Sequence, residues 1–335
     1  MKLIKSPIYI SWTKFNWHAH YQAITFNARI YFLNTPFNSS TDFKKLFKLI
    51  DYLFKSFKTI LIIIKSHSNI IFIENPPPIG GIIGFFLSRI LKYKLVIDAH
   101  NGAFESPMIN IPFTKYSLSK ATAVIVHNNS LRFFLGGKKE FKNCSFFTLN
   151  DPLPQIPVYS SEDIGNYILI VTTFHGDEPI EIVLEGVKYF IEQNPGTDIQ
   201  FRVTGNYNKK INLYEKYNQP RILFLGFVSQ EEYFKQLVNS LCVMSYSVRE
   251  MVQQYALMEA LGAGKPFISN KNLTNTELFG DKMIFTDNDP LSIAEGIEKF
   301  LQNREQLINN IEILKRELSL KRKDDLEKIK KHLGL

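Results

Sequence analysis

Short runs of consecutive apolar residues alternate along the chain with longer segments in which apolar residues recur every three to four positions. Runs that are apolar on both faces are typical of parallel strands covered by helices on both sides. The first half of the chain contains six such runs, at residues 7–12, 28–33, 69–74, 94–99, 123–127 and 145–149. The second half also contains six, at residues 167–173, 199–205, 221–226, 241–246, 266–269 and 283–286.

These two series predict an α/β protein with two Rossmann-like, doubly wound parallel-sheet domains that face a cleft. The segment NDPLPQIPVYSSEDIGN, residues 150–166, has three prolines and no regular period, so it predicts a connection. We therefore assign residues 1–152 to an N-terminal domain, 153–165 to a linker and 166–335 to a C-terminal domain. Residues 290–335 predict two or three helices that pack back on the N-terminal domain.

The charge is unevenly distributed between the two halves. Residues 1–150 contain 19 basic and 6 acidic residues, whereas the whole chain has 40 and 32. A basic half joined to an acidic half indicates that only the first half meets an anionic partner, either a nucleic acid or an anionic membrane surface.

The predicted helix at residues 42–58 bears on this choice. Its apolar stripe consists of Phe43, Leu46, Phe47, Ile50, Leu53, Phe54 and Phe57. Its other side carries Lys44, Lys45, Lys48, Lys55 and Lys58. This pattern fits a helix on an anionic membrane surface, and also a sheet-covering helix with a solvated lysine face. The lysines lack the aromatic interleaving of a single-strand platform, so no nucleic-acid partner is expected.

The compartment follows from simple counts. Two distant cysteines, Cys144 and Cys242, form no disulfide framework and no zinc spacing. The N-terminal residues lack a signal-peptide pattern, and no run of about 20 apolar residues is present. We expect a cytoplasmic protein that is peripheral at the inner membrane face.

Residues 248–270, VREMVQQYALMEALGAGKPFISN, predict a loop, a short apolar helix with a glutamate, a glycine-rich turn and a strand. Free N–H groups at a helix start, with the positive end of the dipole behind them, form a diphosphate site. The predicted members of this site are Met251, Val252 and Gln253, with Arg249 as the nearest cation. The Glu259 carboxylate, about two turns into the helix, can accept two hydrogen bonds from a ribose.

The segment Glu-Ala-Leu-Gly-Ala-Gly-Lys-Pro at 259–266 resembles the donor-site signature of the retaining GT-B glycosyltransferases of the family-4, or glycosyl transferases group 1, type. The resemblance implies that Glu259 binds the ribose of a nucleotide-sugar. The family places a second glutamate eight residues earlier, at the position that Met251 holds here. Glu250 lies one residue further away and is the candidate for its catalytic contact with the donor sugar.

The resemblance extends through most of the second half, at residues 167–190, 201–210 and 222–240. Further donor contacts that it implies are Thr173, His175, Gly205, Asn206 and Phe227. The first loop, residues 172–179, has neither the arginine nor the lysine that many family members use to hold the diphosphate.

Two loops of the first half predict contacts with the reacting sugars. His100 follows the strand KLVIDA, and the resemblance implies that it is a catalytic contact. Asn101 is next to it. The loop after the first strand supplies Asn16, His18 and His20 as acceptor contacts. His18 and His20 have no carboxylate nearby in the sequence, so they predict no metal site. Asp287-Asn288-Asp289 precedes Pro290 and is interpreted as a helix N-cap rather than a metal motif.

Together these features predict a glycosyltransferase of hexosyl type. It would move a sugar from a nucleotide-sugar to a glycan or lipid-linked glycan in cell-surface polysaccharide synthesis, with retention and without an essential metal. The nucleotide-sugar is a co-substrate, and no cofactor is expected. The alternatives are a sugar-nucleotide epimerase of the same architecture, a basic nucleic-acid-binding protein, and a catalytically degenerate relative.

Overall fold

Twelve strands form in the order that the apolar runs predict, and they assemble into two six-stranded sheets. The computed structural model describes residues 6–34, 44–157, 159 and 165–335. The chain divides into two units, of which the first contains residues 1–152 and 322–335 and the second residues 153–321. Every strand pairing within the two sheets is parallel. The predicted α/β class is thus confirmed.

The sheet of the first unit has the order β2-β1-β3-β4-β5-β6. Its strands are β1 (Ile8–Ser11), β2 (Arg29–Phe32), β3 (Ile70–Asn75), β4 (Lys94–Ala99), β5 (Ala123–Val126) and β6 (Phe146–Thr148). Its helices are α1 (Trp17–Thr25), α2 (Lys44–Ser66), α3 (Pro78–Leu91), α4 (Thr114–Lys120) and α5 (Asn129–Gly136). The strand order reverses between β1 and β3, which is where ligands bind in open sheets of this kind.

The second sheet has the order β12-β11-β10-β7-β8-β9, with its reversal between β7 and β10. Its strands are β7 (Tyr167–Ile170), β8 (Gln200–Thr204), β9 (Ile222–Gly226), β10 (Cys242–Met244), β11 (Phe267–Asn270) and β12 (Ile284–Thr286). The helices that follow β6 are α6 (Ile180–Gln193), α7 (Ile211–Tyr217), α8 (Gln230–Asn239), α9 (Tyr255–Gly262), α10 (Leu273–Phe279), α11 (Pro290–Gln302) and α12 (Arg304–Leu333).

The cores lie on the faces of the two sheets. The strands β7 and β10 are buried along their whole length, because their residues are apolar on both faces. Helices α6 and α11 pack closely, and Gly186 leaves room for the Ile293 side chain between them. The interpretation of Asp289 is confirmed, since its carboxylate accepts a hydrogen bond from the Ser292 N–H at the start of α11.

The end of α12 belongs to the first unit. Ile329 and Leu333 are buried in that unit's core, and the Lys94 Nζ donates to the Leu333 carbonyl over 2.7 Å. The prediction that C-terminal helices pack on the first domain is therefore correct for residues 322–335.

Helix α2 is longer than predicted and is oriented differently from an ordinary covering helix. It continues to Ser66, and its buried positions are Lys55, Thr59 and Ile63. The polar members of this face are satisfied, because the Trp12 indole N–H donates to Thr59 over 2.9 Å and Lys55 pairs with Asp51. Four described side chains of the predicted stripe therefore point outward, namely Ile50, Leu53, Phe54 and Phe57, and Phe47 is half-buried. The side chains of residues 42–46 lie outside the described part of the chain.

Candidate functional site

A cavity of about 320 Å³ lies at the strand-order reversal of the second unit. It is lined by Val171, Thr172, Thr173, Asp177, Glu178, Tyr233, Ser245, Tyr246, Ser247, Val252, Gln254, Tyr255, Ala256 and Glu259. These residues come from the loops after β7 and β10, from the start of α9 and from α8. The cavity therefore occupies the place where doubly wound sheets bind ligands.

Glu259 lines this cavity from α9. Its carboxylate accepts a hydrogen bond of 2.6 Å from the Tyr233 hydroxyl. Burial raises the pKa of Glu259 above its usual value, and the bond from Tyr233 offsets part of that rise. A largely buried carboxylate with one fixed donor retains lone pairs for further donors, such as the hydroxyls of a sugar.

The loop after β7 is organised around Glu178. Its carboxylate accepts hydrogen bonds from the Thr172 hydroxyl, from the N–H and hydroxyl of Thr173, and from the His175 N–H, at 2.7–3.0 Å. The sequence analysis predicted that Thr173 and His175 contact the nucleotide-sugar. In this structure their N–H groups donate to Glu178 instead, so the loop is preorganised by an internal anion.

Three basic side chains lie near this loop. The Arg249 Nε pairs with Asp177 at 3.0 Å, and the His175 ring also hydrogen-bonds Asp177. Burial would raise the pKa of Asp177, but its partners His175 and Arg249 bring it below the usual value. The exposed Lys209 donates to the Thr173 carbonyl over 2.8 Å. Lys209 follows β8 in the sequence, so only the pairing of β7 with β8 reveals that it serves this loop.

The predicted contacts after β8 and β9 have separate roles. Gly205 has a φ of +100°, and a Cβ there would lie 2.0 Å from the Thr172 carbonyl oxygen. It is therefore a close-approach glycine that lets the two loops touch. The Asn206 side chain accepts from the Asn208 N–H and starts a short 3₁₀ turn. The Phe227 side chain follows β9 and is 89% exposed.

The residues before α9 divide into two groups. Val252 lines the cavity, and helix α9 begins at Tyr255, two residues after Gln253. The buried Gln254 precedes α9, and its amide nitrogen has no hydrogen-bond partner among the described residues. Met251 and Gln253 are half-buried and do not line the cavity.

Glu250 lies apart from the cavity. It is exposed, and its carboxylate accepts a hydrogen bond from the Leu273 N–H at the start of α10. This contact gives the Glu250 carboxylate a capping function in the structure.

The first unit has a cluster of histidines and carboxylates at the carboxyl ends of its strands. His18 lies in the first turn of α1, with its Nδ1 2.5 Å from Asp151 and its Nε2 2.9 Å from Asp98. Burial would lower the pKa of His18, but the charges of Asp98 and Asp151 raise it well above the usual value. The argument that no carboxylate accompanies His18 is thus wrong, because β4 and the segment after β6 bring two of them to its ring.

His100 lies on the exposed side of the same cluster. Its Nε2 is 2.9 Å from Glu74, and 35% of its side chain is exposed. Asn16 caps α1 through its side-chain oxygen and donates to Glu74 over 2.7 Å, and Ser11 also donates to Glu74. Glu74 thus joins two predicted residues, His100 and Asn16, through one carboxylate.

His127 completes the cluster. It is buried, with its Nε2 3.8 Å from Asp98 and its Nδ1 3.5 Å from Asp151. Burial, together with the charge of His100, lowers the pKa of His127. Sequence reasoning did not select four cluster members, namely Glu74, Asp98, His127 and Asp151. All four lie at or just after the carboxyl ends of predicted strands, and that position was the signal available.

Two predicted acceptor residues lie outside this cluster. His20 packs its ring against Phe15, Trp17 and Tyr21 on the outer side of α1. Asn101 begins the 3₁₀ helix Asn101–Phe104 that follows His100.

Comparison with known proteins gives a family match over part of the chain and a fold for the whole of it. Residues 165–303 match the family described as glycosyl transferases group 1. No curated protein sequence is found that matches the chain. No helix within residues 6–34, 44–157 or 165–335 has the length and hydropathy that crossing a bilayer requires.

Several solved structures superpose on most of the chain. The sucrose-phosphate synthase of Thermosynechococcus elongatus does so with a TM-score of 0.67 and 14% identity, over 93% of this chain and 94% of that chain. HepE (Alr3699) of Anabaena, in complex with UDP and glucose, superposes with a TM-score of 0.67 and 12% identity, over 98% of this chain and 99% of that chain. TarM superposes with a TM-score of 0.62 and 14% identity, and the match covers 79% of this chain but only 55% of TarM.

At these identities the likeness establishes the fold and leaves the substrate open. The cavity with Glu259 falls within the segment that matches the family, and both parallel sheets are those of the GT-B structures. Residues 165–303 match the family model described as glycosyl transferases group 1, and the chain as a whole has the fold of the GT-B glycosyltransferase structures.

Proposed function

We propose that this protein transfers a hexosyl group from a nucleotide-sugar to a glycan or lipid-linked glycan, with retention of configuration. The observation that carries the proposal is the Glu259 carboxylate, largely buried in the second-unit cavity within the segment that matches the family. The solved complexes of HepE with UDP and with UDP-glucose support a UDP-sugar as the donor. A role in cell-surface polysaccharide synthesis is part of the same proposal.

The donor would be held by groups of three kinds. Glu259 would accept hydrogen bonds from the ribose hydroxyls, and the exposed ring of Phe227 would stack on the base. The diphosphate would meet the N–H groups at the start of α9 and the cations Arg249 and Lys209. Because Lys209 already donates to the loop after β7, it replaces the basic residues that this loop lacks.

The chemistry asks the protein mainly to stabilise charge on the departing diphosphate and to orient both sugars. The leaving diphosphate can take the acceptor proton, so no separate base is needed. In the first unit, His100, with Nε2 fixed by Glu74, would contact the reacting sugar. Asn16, His18, His20 and Asn101 remain the proposed acceptor residues, and Glu250 the proposed contact with the donor sugar.

The first test is a panel of UDP, UDP-glucose, UDP-N-acetylglucosamine, GDP-mannose and ADP-glucose in thermal unfolding. A ligand at 100 times its Kd stabilises the folded state by about 2.7 kcal/mol, which corresponds to about 5–10 °C in Tm for a unit of this size. We expect the UDP ligands to produce this shift. Absence of a shift with every nucleotide would contradict the proposal. Product analysis with UDP-glucose alone is the control, since an epimerase would convert it without an acceptor.

The outer surface of the first unit supports the proposed membrane contact. The outward face of α2 exposes Leu53 and Phe57 by 62% and 59%. Helix α3 packs beside α2 and exposes Phe86, whose ring contacts Phe113 before α4. The same three helices and the residue after α3 also carry exposed basic side chains, and they are Lys48, Lys58, Lys65, Arg89, Lys92, Lys115 and Lys120. Exposed apolar and basic side chains on the same helices fit an anionic lipid bilayer, into which the apolar side chains insert.

Replacing Lys48, Lys58 and Lys65 together by glutamine should weaken binding to anionic vesicles. At about 1 kcal/mol per basic residue near the surface, the partition coefficient should fall roughly 100-fold at low salt. Sedimentation with phosphatidylglycerol vesicles measures it. The matched control replaces three exposed lysines of the second unit, Lys188, Lys235 and Lys299, by glutamine. Equal losses in the two triple variants would show that net charge, and not this surface, drives the binding.

A further inference from the structure

One ring nitrogen from each of His18, His100 and His127 lies within 4.8 Å of the other two. We propose that these three histidines and Asp98 bind a divalent transition-metal ion, of which Zn²⁺ is the best representative. The cluster includes His18 and His100, which the proposed function places at the acceptor, but the binding of a metal ion can be measured without any sugar or nucleotide.

The ring nitrogens face a shared carboxylate. The Nε2 atoms of His18 and His127 lie 2.9 and 3.8 Å from the two oxygens of Asp98. Bonds of about 2.0–2.1 Å to a tetrahedral Zn²⁺ hold neighbouring ligand atoms about 3.3 Å apart. These two separations lie on either side of that value, and the three ring nitrogens, which lie within 4.8 Å of one another, would have to move closer together to share an ion.

The opposite ring nitrogens have the partners that metal-bound histidines require. Asp151 lies 2.5 Å from Nδ1 of His18 and 3.5 Å from Nδ1 of His127. Glu74 lies 2.9 Å from Nε2 of His100. Carboxylates at the far nitrogen fix the tautomer and the ring direction of metal-bound histidines. Asp151 thus directs Nε2 of His18 toward Asp98, and it also lies near Nδ1 of His127.

Buried polar atoms in the cluster lack partners. Neither ring nitrogen of His127, nor Oδ1 of Asp98, has a hydrogen-bond partner among the described residues. Both side chains are more than nine-tenths buried. Buried polar atoms are nearly always satisfied, and a bound ion is one way in which such atoms are satisfied. An ion between Nε2 of His127 and Oδ1 of Asp98 satisfies both atoms together.

The local charge also calls for a cation. Three carboxylates, those of Glu74, Asp98 and Asp151, share the site, and the half-buried Arg322 faces Asp98 and Asp151. Histidines are neutral when they bind a metal. The three carboxylates then outnumber the single arginine by two charges, and a divalent ion neutralises this excess negative charge. Imidazole ligands favour Zn²⁺, Co²⁺ and Ni²⁺ over the oxygen-seeking Mg²⁺.

The test uses the full chain without an affinity tag, dialysed against EDTA and then titrated with Zn²⁺, Co²⁺ or Mg²⁺ by calorimetry. We expect one Zn²⁺ per chain, a visible absorption band with Co²⁺ from tetrahedral nitrogen ligands, and no binding of Mg²⁺. Asp151→Asn should weaken Zn²⁺ binding roughly 10- to 100-fold, and His127→Gln by more. His67→Asn is the matched control, because His67 is an exposed histidine of the same unit with a φ of +48° that asparagine tolerates.

A second measurement needs no variant and covers the case in which His127→Gln does not fold. Nitrogen-15 NMR of the histidine rings should show the signals of three rings shifting on addition of one equivalent of Zn²⁺. The proposal is overturned if the folded chain binds no Zn²⁺. It is also overturned if Zn²⁺ shifts only the rings of exposed histidines such as His67 and His175, or if His67→Asn weakens binding as much as Asp151→Asn. His100 is not used as a test variant, because its loss would also remove the proposed contact with the sugar.

Discussion

Replacing Glu259 by glutamine is expected to weaken the binding of UDP by roughly 10- to 100-fold. The amide is neutral and cannot accept two charge-assisted hydrogen bonds from the ribose, each of which is worth about 1.5–3 kcal/mol. The variant keeps the shape of the side chain, so the loss reports on the carboxylate. Calorimetric titration with UDP and with uridine measures it, and both affinities should fall by a similar factor.

Lys209→Gln is the matched comparison for this prediction. The exposed lysine is proposed to meet the diphosphate, so its loss should weaken the binding of UDP and leave that of uridine almost unchanged. Equal affinity of wild type and Glu259→Gln for UDP would contradict the ribose assignment. A Glu259→Gln effect confined to UDP would place the carboxylate at the diphosphate instead.

The same carboxylate sets a pH dependence of nucleotide binding. Burial raises the pKa of Glu259 above its ordinary value of 4.5, so the free protein takes up this proton earlier as the pH falls. The ribose hydroxyls require the ionised form, and UDP should therefore bind more weakly as the pH decreases through the raised pKa.

The contribution of Glu259 to the stability of the empty protein depends on pH in the opposite direction. A pKa raised by folding adds stability in acid that is lost as the pH rises through the folded-state value.

Gly205→Ala is expected to destabilise the second unit by about 2–5 kcal/mol. An alanine at positive φ costs about 1–2 kcal/mol, and overpacking adds about 1–3 kcal/mol. The added Cβ would lie 2.0 Å from the Thr172 carbonyl oxygen, which is backbone and cannot rotate away. The loops after β7 and β8 must then separate, and the cavity wall formed by Thr172 and Thr173 moves with them. Urea unfolding should show the lower free energy of unfolding, and UDP titration should show the effect of the moved cavity wall on affinity.

Gly176→Ala is the control in the same loop. No atom lies within 4 Å of a Cβ built at Gly176, and its φ is not in the left-handed range, so its stability should stay within about 0.5 kcal/mol of wild type. If Gly205→Ala unfolds at the same urea concentration as Gly176→Ala, the close approach of the two loops is not a feature of the protein in solution.

The fold was predictable because most strands are apolar on both faces and end at a polar or glycine-containing turn. That local pattern is sufficient to order twelve strands. It is not sufficient to orient α2, because Lys55 and Thr59 are buried only through partners from β1 and the loop after it and from their own helix. The end of α2 was also missed, since Lys58 is followed by further helical turns of isoleucine that read equally well as a strand.

The sites were predictable only in part. Glu259 stands out because a glutamate interrupts an apolar helix, and that contrast is visible in one short segment. Its partner Tyr233 is on another helix, and the pairing depends on the order of the strands between them. The same limit applies to His18, which is 80 residues from Asp98 and 133 from Asp151. Contacts at such separations require the sheet order, which the apolar pattern does not supply.

The closing turns of α12 have a consequence for how the first unit is made. Ile329 and Leu333 fill part of its core, and Arg322 donates to Thr25 on α1. When residues 1–152 have left the ribosome, the first unit therefore still lacks the core residues that α12 supplies. The second unit is complete in sequence at residue 321 and can fold during synthesis, whereas the first reaches its final packing only after residues 322–335 emerge. The unit whose strands are synthesised first thus depends on residues synthesised after the second unit, and a fragment ending at residue 152 lacks part of its own core.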